Sequence, residues 1–167
     1  MLNYNQALPK DTLLQDLQMK EVKPIMKLIV RGKKREFISA IGKSLNILLP
    51  TEANTSTQSD KLTALWLSPD EWMIFSNQPV DESTNDYKTE ELLNKSISKL
   101  NLGAITDVTD QFVMISLKGN KIYELFQTGS PFNFNDFHDK RGAVTQTILT
   151  KIDIIIHNLD KNAVNLF

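Results

Sequence analysis

The segment ALWLSPDEWMIF, residues 64–75, limits what this chain can fold into, because it predicts two apolar strands joined by a tight turn. Pro69 suits the second position of such a turn, since its ring already fixes φ, and the polar residues beside it suit a solvated corner. In the first arm, Leu65 and Leu67 share one face while Trp66 points to the other. A hairpin with two apolar faces needs cover on both sides, from the chain's own helices or from another chain.

Composition narrows the class of protein. A chain of 167 residues suits one domain or one domain of two similar halves, and a hydrophobic fraction of 41% can fill a core. The net charge of −1 argues against a general binder of nucleic acid or anionic membranes. With no cysteine, the chain cannot form disulfides, thiolate nucleophiles or cysteine-ligated metal sites. The amino terminus lacks the pattern of a secretion signal, and no apolar run is long enough to span a membrane, so we expect a cytoplasmic protein.

Hydrophobic spacing predicts alternating strands and helices along the chain. The predicted strands, the hairpin aside, are 25–31, 104–109, 111–117, 143–149, 152–159 and a final one beginning at 163. The predicted helices are 33–45, with Phe37, Ile38, Ile41 and Leu45 on one face; 86–103, capped by Asp86 and burying Leu92, Leu93, Ile97 and Leu100; and one capped by Asn120, with Ile122, Leu125 and Phe126 inward. Residues 51–61 are predicted to form a loop.

The predicted order is β-α-β-β-α-β, followed by β-α-β-β and the start of one more strand. This indicates an α+β fold with the split β-α-β pattern twice over, in which helices cover one face of mostly antiparallel sheets. We therefore predict a single domain, 1–167, of two similar halves, roughly 22–108 and 109–167. The second half lacks its closing helix.

The two histidines are the only candidate general bases of the usual kind. His157 ends the run IDIIIH, where we interpret it as a satisfied or surface strand residue. His138 has Asp136 and Asp139 nearby, which could orient a base or hold a hard metal, but no second cluster at ligand spacing completes a site. We therefore predict no catalytic and no metal-binding residues.

The run RGKKRE, residues 31–36, is a candidate anion contact. Gly32 is followed by Lys33, Lys34 and Arg35 at a predicted helix start, where backbone N–H groups and cations can together hold an anion. A solvated turn is the alternative reading. No glycine-rich phosphate loop accompanies the run, so nucleotide or flavin binding by this chain is not predicted.

Aromatic residues supply the candidate partner interface. Phe132, Phe134 and Phe137 crowd the irregular segment FNFNDFHD, where they either plug the core or anchor another protein. Trp66 and Trp72 in the hairpin join them as candidates, because that hairpin is apolar on both faces.

Five short motifs in order resemble the gamma subunit family of heterotetrameric sarcosine oxidase. They are LSPDEW at 67–72, DVT at 107–109, LKGN at 117–120, GSPFNF at 129–134 and GAVTQT at 142–147. Ser68, Asn120 and Ser130 replace the glycine, proline and cysteine typical of the family. The chain also stops before the family's usual Ser-Phe-Ala segment and tryptophan-bearing helix.

The resemblance implies a structural subunit of a complex that oxidises sarcosine to glycine with release of hydrogen peroxide. It implies alpha, beta and delta subunits as partners, and FAD, FMN, NAD and tetrahydrofolate on the larger subunits, with one-carbon transfer to folate there. The gamma family in turn resembles the folate-binding aminomethyltransferase fold. Where those transferases carry a glycine-rich turn with paired aspartates, residues 149–153 hold only Asp153, so the likeness covers the fold and not the active site.

Two alternatives remain open from the sequence. One is an independent folate-binding protein of the aminomethyltransferase type. The other is the equivalent small subunit of a related dehydrogenase, such as one that acts on an N-methyl amino acid.

Overall fold

The computed structural model describes residues 5–8, 10–79 and 88–167, which form two compact units. One unit is continuous and runs over residues 24–112. The other is discontinuous and combines residues up to 23 with residues 113–167. Each contains a mostly antiparallel sheet with few helices, so the predicted α+β class is confirmed.

The elements follow in chain order. The strands are β1 (Thr12–Leu14), β2 (Leu17–Glu21), β3 (Lys27–Arg31), β4 (Ser56–Gln58), β5 (Leu62–Ser68), β6 (Glu71–Ser76), β7 (Ala104–Asp107), β8 (Ile115–Lys118), β9 (Val144–Leu149), β10 (Ile152–Asp160) and β11 (Ala163–Leu166). The helices are α1 (Arg35–Leu45), α2 (Lys88–Ser96) and α3 (Ile122–Gly129), with a 3₁₀ turn at Ser98–Leu100. Every helix in the described part of the chain is too short or too polar to span a bilayer.

The continuous unit contains a five-stranded sheet in the order β4-β5-β6-β3-β7. Strand β6 pairs antiparallel with both β3 and β5, so β3 and β5 run parallel with β6 between them, and the chain connects them through α1 and the edge strand β4. Strand β3 likewise separates β6 from β7, which are joined through α2. Both connections are the split β-α-β pattern that the sequence predicts.

The core of this unit lies between its helices and one face of its sheet. Helix α1 buries Phe37 and Ile41 completely, while Ile38 and Leu45 are partly buried. From α2 and the residue after it, Leu93 and Ile97 are fully buried. The large side chains that the strands contribute to this core are Leu28, Val30, Trp72 and Ile74, and Met26, Ile47 and Leu49 join them from the connecting segments.

The discontinuous unit contains a six-stranded sheet in the order β1-β2-β8-β11-β10-β9. Strands β1 and β2 form a hairpin that the sequence did not predict, and β2 pairs antiparallel with β8. Their segment, TLLQDLQMKE, alternates only over the short run LQMK, which is too brief to identify a strand by itself. Strand β4 was also missed, because three residues in a polar loop carry no pattern.

Helix α3 covers one face of this second sheet. Ile122 and Phe126 of α3 are fully buried against Leu117, Ile156 and Val164 of the strands. Here the strands joined through the helix, β8 and β9, have two strands between them and run antiparallel. The strand order of this unit therefore differs from that of the continuous unit.

Gly119 allows the turn between β1 and β2 to approach the chain after β8. Its φ is +135°, and a Cβ added there would lie 2.0 Å from the carbonyl oxygen of Asp16. Asp16 itself has φ +65°, in the left-handed region that aspartate tolerates better than most residues. Position 119 requires a positive φ and the absence of a Cβ atom, and only glycine meets both requirements.

Several local predictions were wrong in detail. Lys121, and not Asn120, occupies the N-cap position of α3. Leu125 on α3 is 37% exposed. Leu92, at the margin of the buried stripe of α2, is 45% exposed. Leu100 is 63% exposed, because α2 ends at Ser96 and the following 3₁₀ turn changes the helical spacing. The predicted cap Asp86 lies outside the described residues.

The predicted halves, 22–108 and 109–167, do not coincide with the two compact units. The difference arises because β2 pairs with β8, which joins the first strands of the chain to its last third. Assignment of 1–167 as a single domain stays a prediction.

Candidate functional site

The two tryptophans of the hairpin lie directly opposite each other on β5 and β6. Trp72 is 2% exposed, and its indole Nε1 donates a hydrogen bond of 2.8 Å to the Pro50 carbonyl oxygen. Trp66 is half-buried against the same core. On the other face of the hairpin, Leu65 and Met73 are fully buried as well. Trp72 is therefore a core residue with almost no surface left for a partner, whereas the half-buried Trp66 as a partner contact stays a prediction.

The phenylalanine-rich segment packs into the core of the discontinuous unit. Phe134 and Phe137 are 1% and 6% exposed, and Phe132 is partly buried beside them. The ring centroids of Phe132 and Phe134 lie 4.9 Å apart in an edge-to-face arrangement, and those of Phe126 and Phe134 lie 5.4 Å apart. Of the two readings open from the sequence, the structure places Phe134 and Phe137 in the core, because their rings have almost no surface left for a partner.

The basic run contacts the turn of the hairpin. The guanidinium of Arg31 lies 3.8 Å from a carboxylate oxygen of Asp70 and 4.0 Å from one of Glu71, and the Lys33 Nζ lies 3.9 Å from Asp70. The cations of these pairs are exposed and the distances are long, so each pair contributes little stability. In the described part of the chain, Lys34 and Arg35 form no ion pair. The predicted anion contact of Lys33, Lys34 and Arg35 stays a prediction, with Lys33 already near an internal carboxylate.

The two histidines occupy different surroundings. His157 on β10 is 4% exposed, and burial lowers its pKa from 6.5 to about 4. His138 is partly exposed, and its Nε2 lies 3.1 Å from Oδ2 of Asp139, whose other carboxylate oxygen, Oδ1, lies 3.4 Å from the Lys161 Nζ. Within residues 5–8, 10–79 and 88–167, no three His, Cys, Asp or Glu side chains are grouped so that they could hold a metal ion.

Tyr123 is partly buried, and its pKa, like that of His157, is shifted from the ordinary value. Its hydroxyl is buried and has no hydrogen-bond partner among the described residues. Burial, with smaller contributions from the charges of Asp139 and Asp160, raises the pKa of Tyr123 to about 12. The neighbouring Asn158 holds the aromatic segment in place, since its amide Nδ2 donates to three carbonyl oxygens of that loop, the closest being Phe137 at 2.7 Å.

Lys27 is a buried cation that the sequence analysis passed over, because it stands in an apolar strand without a motif around it. It is 2% exposed, and its Nζ donates a hydrogen bond of 3.1 Å to the Ile25 carbonyl oxygen. Burial lowers the pKa of Lys27, against the opposing effects of the Asp110 and Asp107 carboxylates. Its contacts are those of a structural cation inside the continuous unit.

A concavity of about 100 Å³ lies on the second sheet, between β2 and β8. Four polar side chains line it: Gln18, Lys20, Ser116 and Lys118. Only Lys118 lies in a motif named above, LKGN at 117–120, and that motif does not mark it as a site residue. Recognising them would have required the pairing of β2 with β8, which local sequence does not encode.

Comparison with protein families decides where this chain belongs. A family model described as the sarcosine oxidase gamma subunit family matches residues 31–167. The chain belongs to this family. The matched range contains all five motifs on which the resemblance was noted, from the hairpin turn to the strand β9.

Among solved structures, the gamma-family chain is similar to a chain of the heterotetrameric sarcosine oxidase from Corynebacterium sp. U-96, in complex with pyrrole 2-carboxylate. The TM-score is 0.76 at 14% sequence identity, and the match covers 90% of this chain and 74% of that one. At this identity the likeness shows the fold alone. No curated protein sequence matches the chain.

Proposed function

We propose that this chain is a structural subunit of a heterotetrameric sarcosine oxidase and has no active site of its own. The observation that carries the proposal is the family match over residues 31–167. In the proposed complex, sarcosine is oxidised by oxygen to glycine and hydrogen peroxide on the larger subunits. FAD, FMN, NAD and tetrahydrofolate belong to those subunits in this proposal, and the one-carbon unit passes to tetrahydrofolate there.

The protonation properties of the buried groups support a structural role. His157 stays neutral until the pH falls to about 4, and Tyr123 keeps its proton until the pH reaches about 12. A general acid or base works best with a pKa near the operating pH, so neither group is suited to proton transfer at neutral pH. Both side chains serve packing in the unit that contains them.

The proposed partners are the alpha, beta and delta subunits, and the proposed location is the cytoplasm. Co-expression of all four genes with an affinity tag on this chain tests the assignment. We expect the larger subunits to co-purify, and we expect the complex, but not the isolated chain, to oxidise sarcosine.

Two results would contradict the proposal. One is a flavin absorbance band that stays with the isolated chain through gel filtration. The other is recovery of this chain alone when all four genes are expressed. Titration of the isolated chain with tetrahydrofolate separates the alternative of an independent folate binder, because saturable binding without other subunits would favour it.

A further inference from the structure

The four side chains that line the concavity form a compact rectangle, here called the lysine corner: Gln18, Lys20, Ser116 and Lys118. Gln18 lies opposite Lys118, and Lys20 lies opposite Ser116, across the antiparallel pair β2–β8. Directly opposite side chains have Cβ atoms about 5 Å apart, and diagonal neighbours are about 7–8 Å apart. The two lysines therefore stand on a diagonal, with the amide and the hydroxyl on the other two corners.

The lysine corner lies on the sheet face that α3 does not cover. Leu17, Met19 and Leu117, the residues that alternate with the corner along β2 and β8, point to the core under α3. The corner side chains consequently point the other way. Gln18, Lys20 and Lys118 are exposed, and Ser116 is partly buried.

The charge of the corner is only partly balanced within the chain. The Lys20 Nζ lies 3.5 Å from a carboxylate oxygen of Asp11, and both side chains are more than half exposed. Lys118 forms no ion pair with any described residue. Two ammonium groups on neighbouring strands repel each other, and an anion placed between them removes that repulsion. The amide of Gln18 and the hydroxyl of Ser116 add neutral donors at the same place.

The size of the concavity points to a single carboxylate group. Its volume of about 100 Å³ is far below the roughly 300–1,000 Å³ of pockets that hold ligands of drug or cofactor size. An apolar side chain borders it, because Leu13 on β1 lies opposite Gln18 and is 80% exposed. An exposed apolar residue beside an unpaired cation is better suited to contact with another protein than to the binding of a free anion.

We propose that the lysine corner receives the carboxylate of an aspartate or glutamate from another subunit of the complex, with an apolar residue next to it in that subunit packing on Leu13. This inference rests on the proposed function, since it requires the larger subunits. Asp11 then acts as an internal competitor, because its carboxylate contacts Lys20 in the free chain.

The test measures the affinity of the full-length chain for the larger subunits, with charge reversal at the corner. The variant pair Lys20→Glu and Lys118→Glu is compared with the control pair Lys61→Glu and Lys151→Glu, which makes the same change of charge at exposed turn positions. We expect the corner pair to weaken association about 100-fold, since like charges facing each other across an interface strongly oppose binding. The control pair should stay within threefold of the wild type. Thermal melts of all variants establish that the effect is not loss of folding.

Removing the competitor should act in the opposite direction. Asp11→Asn frees Lys20, so it should tighten association. It should also steepen the decrease of affinity with salt.

Three outcomes would overturn the docking proposal. Equal weakening by the two lysine pairs would show a general effect of net charge. If the corner pair associates like the wild type, no carboxylate of another subunit docks there. That conclusion would stand even if acetate or phosphate bound the isolated chain at the corner. If the wild-type chain fails to associate with the larger subunits at all, the structural-subunit proposal falls, and the docking site falls with it.

Discussion

Trp72 and Pro50 are joined by a hydrogen bond in which the indole Nε1 donates to the proline carbonyl oxygen at 2.8 Å. The bond ties the chain after α1 to the strand β6, twenty-two residues further on. Both residues are buried in the continuous unit, where a carbonyl oxygen without a protein partner cannot accept a hydrogen bond from solvent water. Trp72 therefore both fills the core and holds the segment around Pro50 against β6.

Trp72→Phe should lower the free energy of unfolding by about 2–3 kcal/mol, because it removes the donor, leaves the Pro50 oxygen unpaired and opens a small void. Trp66→Phe is the matched control, since Trp66 lies directly opposite on β5 but is only half-buried. Urea denaturation of both variants measures the difference. Equal losses would show that the hydrogen bond contributes nothing distinctive.

Phe134→Ala should cost about 3–5 kcal/mol of folding stability, because a ring that is 1% exposed leaves a cavity among other aromatic rings. For a chain of this size, such a loss lowers the melting temperature by roughly 6–20 °C. Association with the larger subunits, measured on the folded fraction, should not change. A stable variant with weakened association would restore Phe134 to the interface.

Gly119→Ala should destabilise the chain by about 2 kcal/mol or more, because alanine is strained at φ +135° and its Cβ would clash with the Asp16 carbonyl oxygen. Gly42→Ala provides the control. Gly42 lies inside α1, where an added Cβ meets nothing closer than 3.4 Å, and alanine there should stabilise the helix by up to about 1 kcal/mol. Opposite shifts of the two melting temperatures are the expected result.

His157 should make the protein sensitive to acid. Between pH 6.5 and about 4 the unfolded chain takes up a proton at this position and the folded chain does not, so the free energy of unfolding falls as the pH falls. A difference of this size corresponds to about 3 kcal/mol at the lower end of the window. His157→Gln should lose less stability than the wild type when urea denaturation is repeated at pH 6.5 and pH 4. Parallel losses in both proteins would assign the acid sensitivity to other groups.

Tyr123 should ionise at a higher pH than an ordinary tyrosine, since its pKa is about 12 rather than 10. Tyr123→Phe should remove the late rise in absorbance near 295 nm above pH 11. It should not lower stability at neutral pH, because the lost hydroxyl has no hydrogen-bond partner among the described residues. A marked loss of stability would indicate that the hydroxyl is bonded to water inside the unit.

The parts of the fold that sequence predicted are those in which neighbours along the chain decide the outcome. Phe37 and Ile41 recur at helical spacing, and α1 buries both. Pro69 predicted the hairpin turn, which lies between β5 and β6. The same reasoning failed for Leu92 and Leu125, because an apolar residue at the margin of a helical stripe can lie on either side of the boundary with solvent.

The features that sequence could not supply depend on pairing over long distances. The partner of Trp72 is a carbonyl on a separate loop, and the lysine corner exists only because β2 lies beside β8. The aromatic segment left two readings open, since a loop phenylalanine carries no pattern that tells core from interface. Burial of Phe134 decides that question only once the surrounding strands are placed.

The pairing of β2 with β8 also has a consequence for biosynthesis. Lys20 and Ser116 are more than ninety residues apart, and the whole continuous unit is synthesised between them. The first hairpin therefore emerges from the ribosome several seconds before the strand that pairs with it, at typical rates of about 5–20 residues per second. The described strands of the continuous unit pair only with one another, so this unit can fold during that interval. Strand β2 keeps one unpaired edge until β8 has been synthesised. The order of synthesis thus favours folding from the middle of the chain outward.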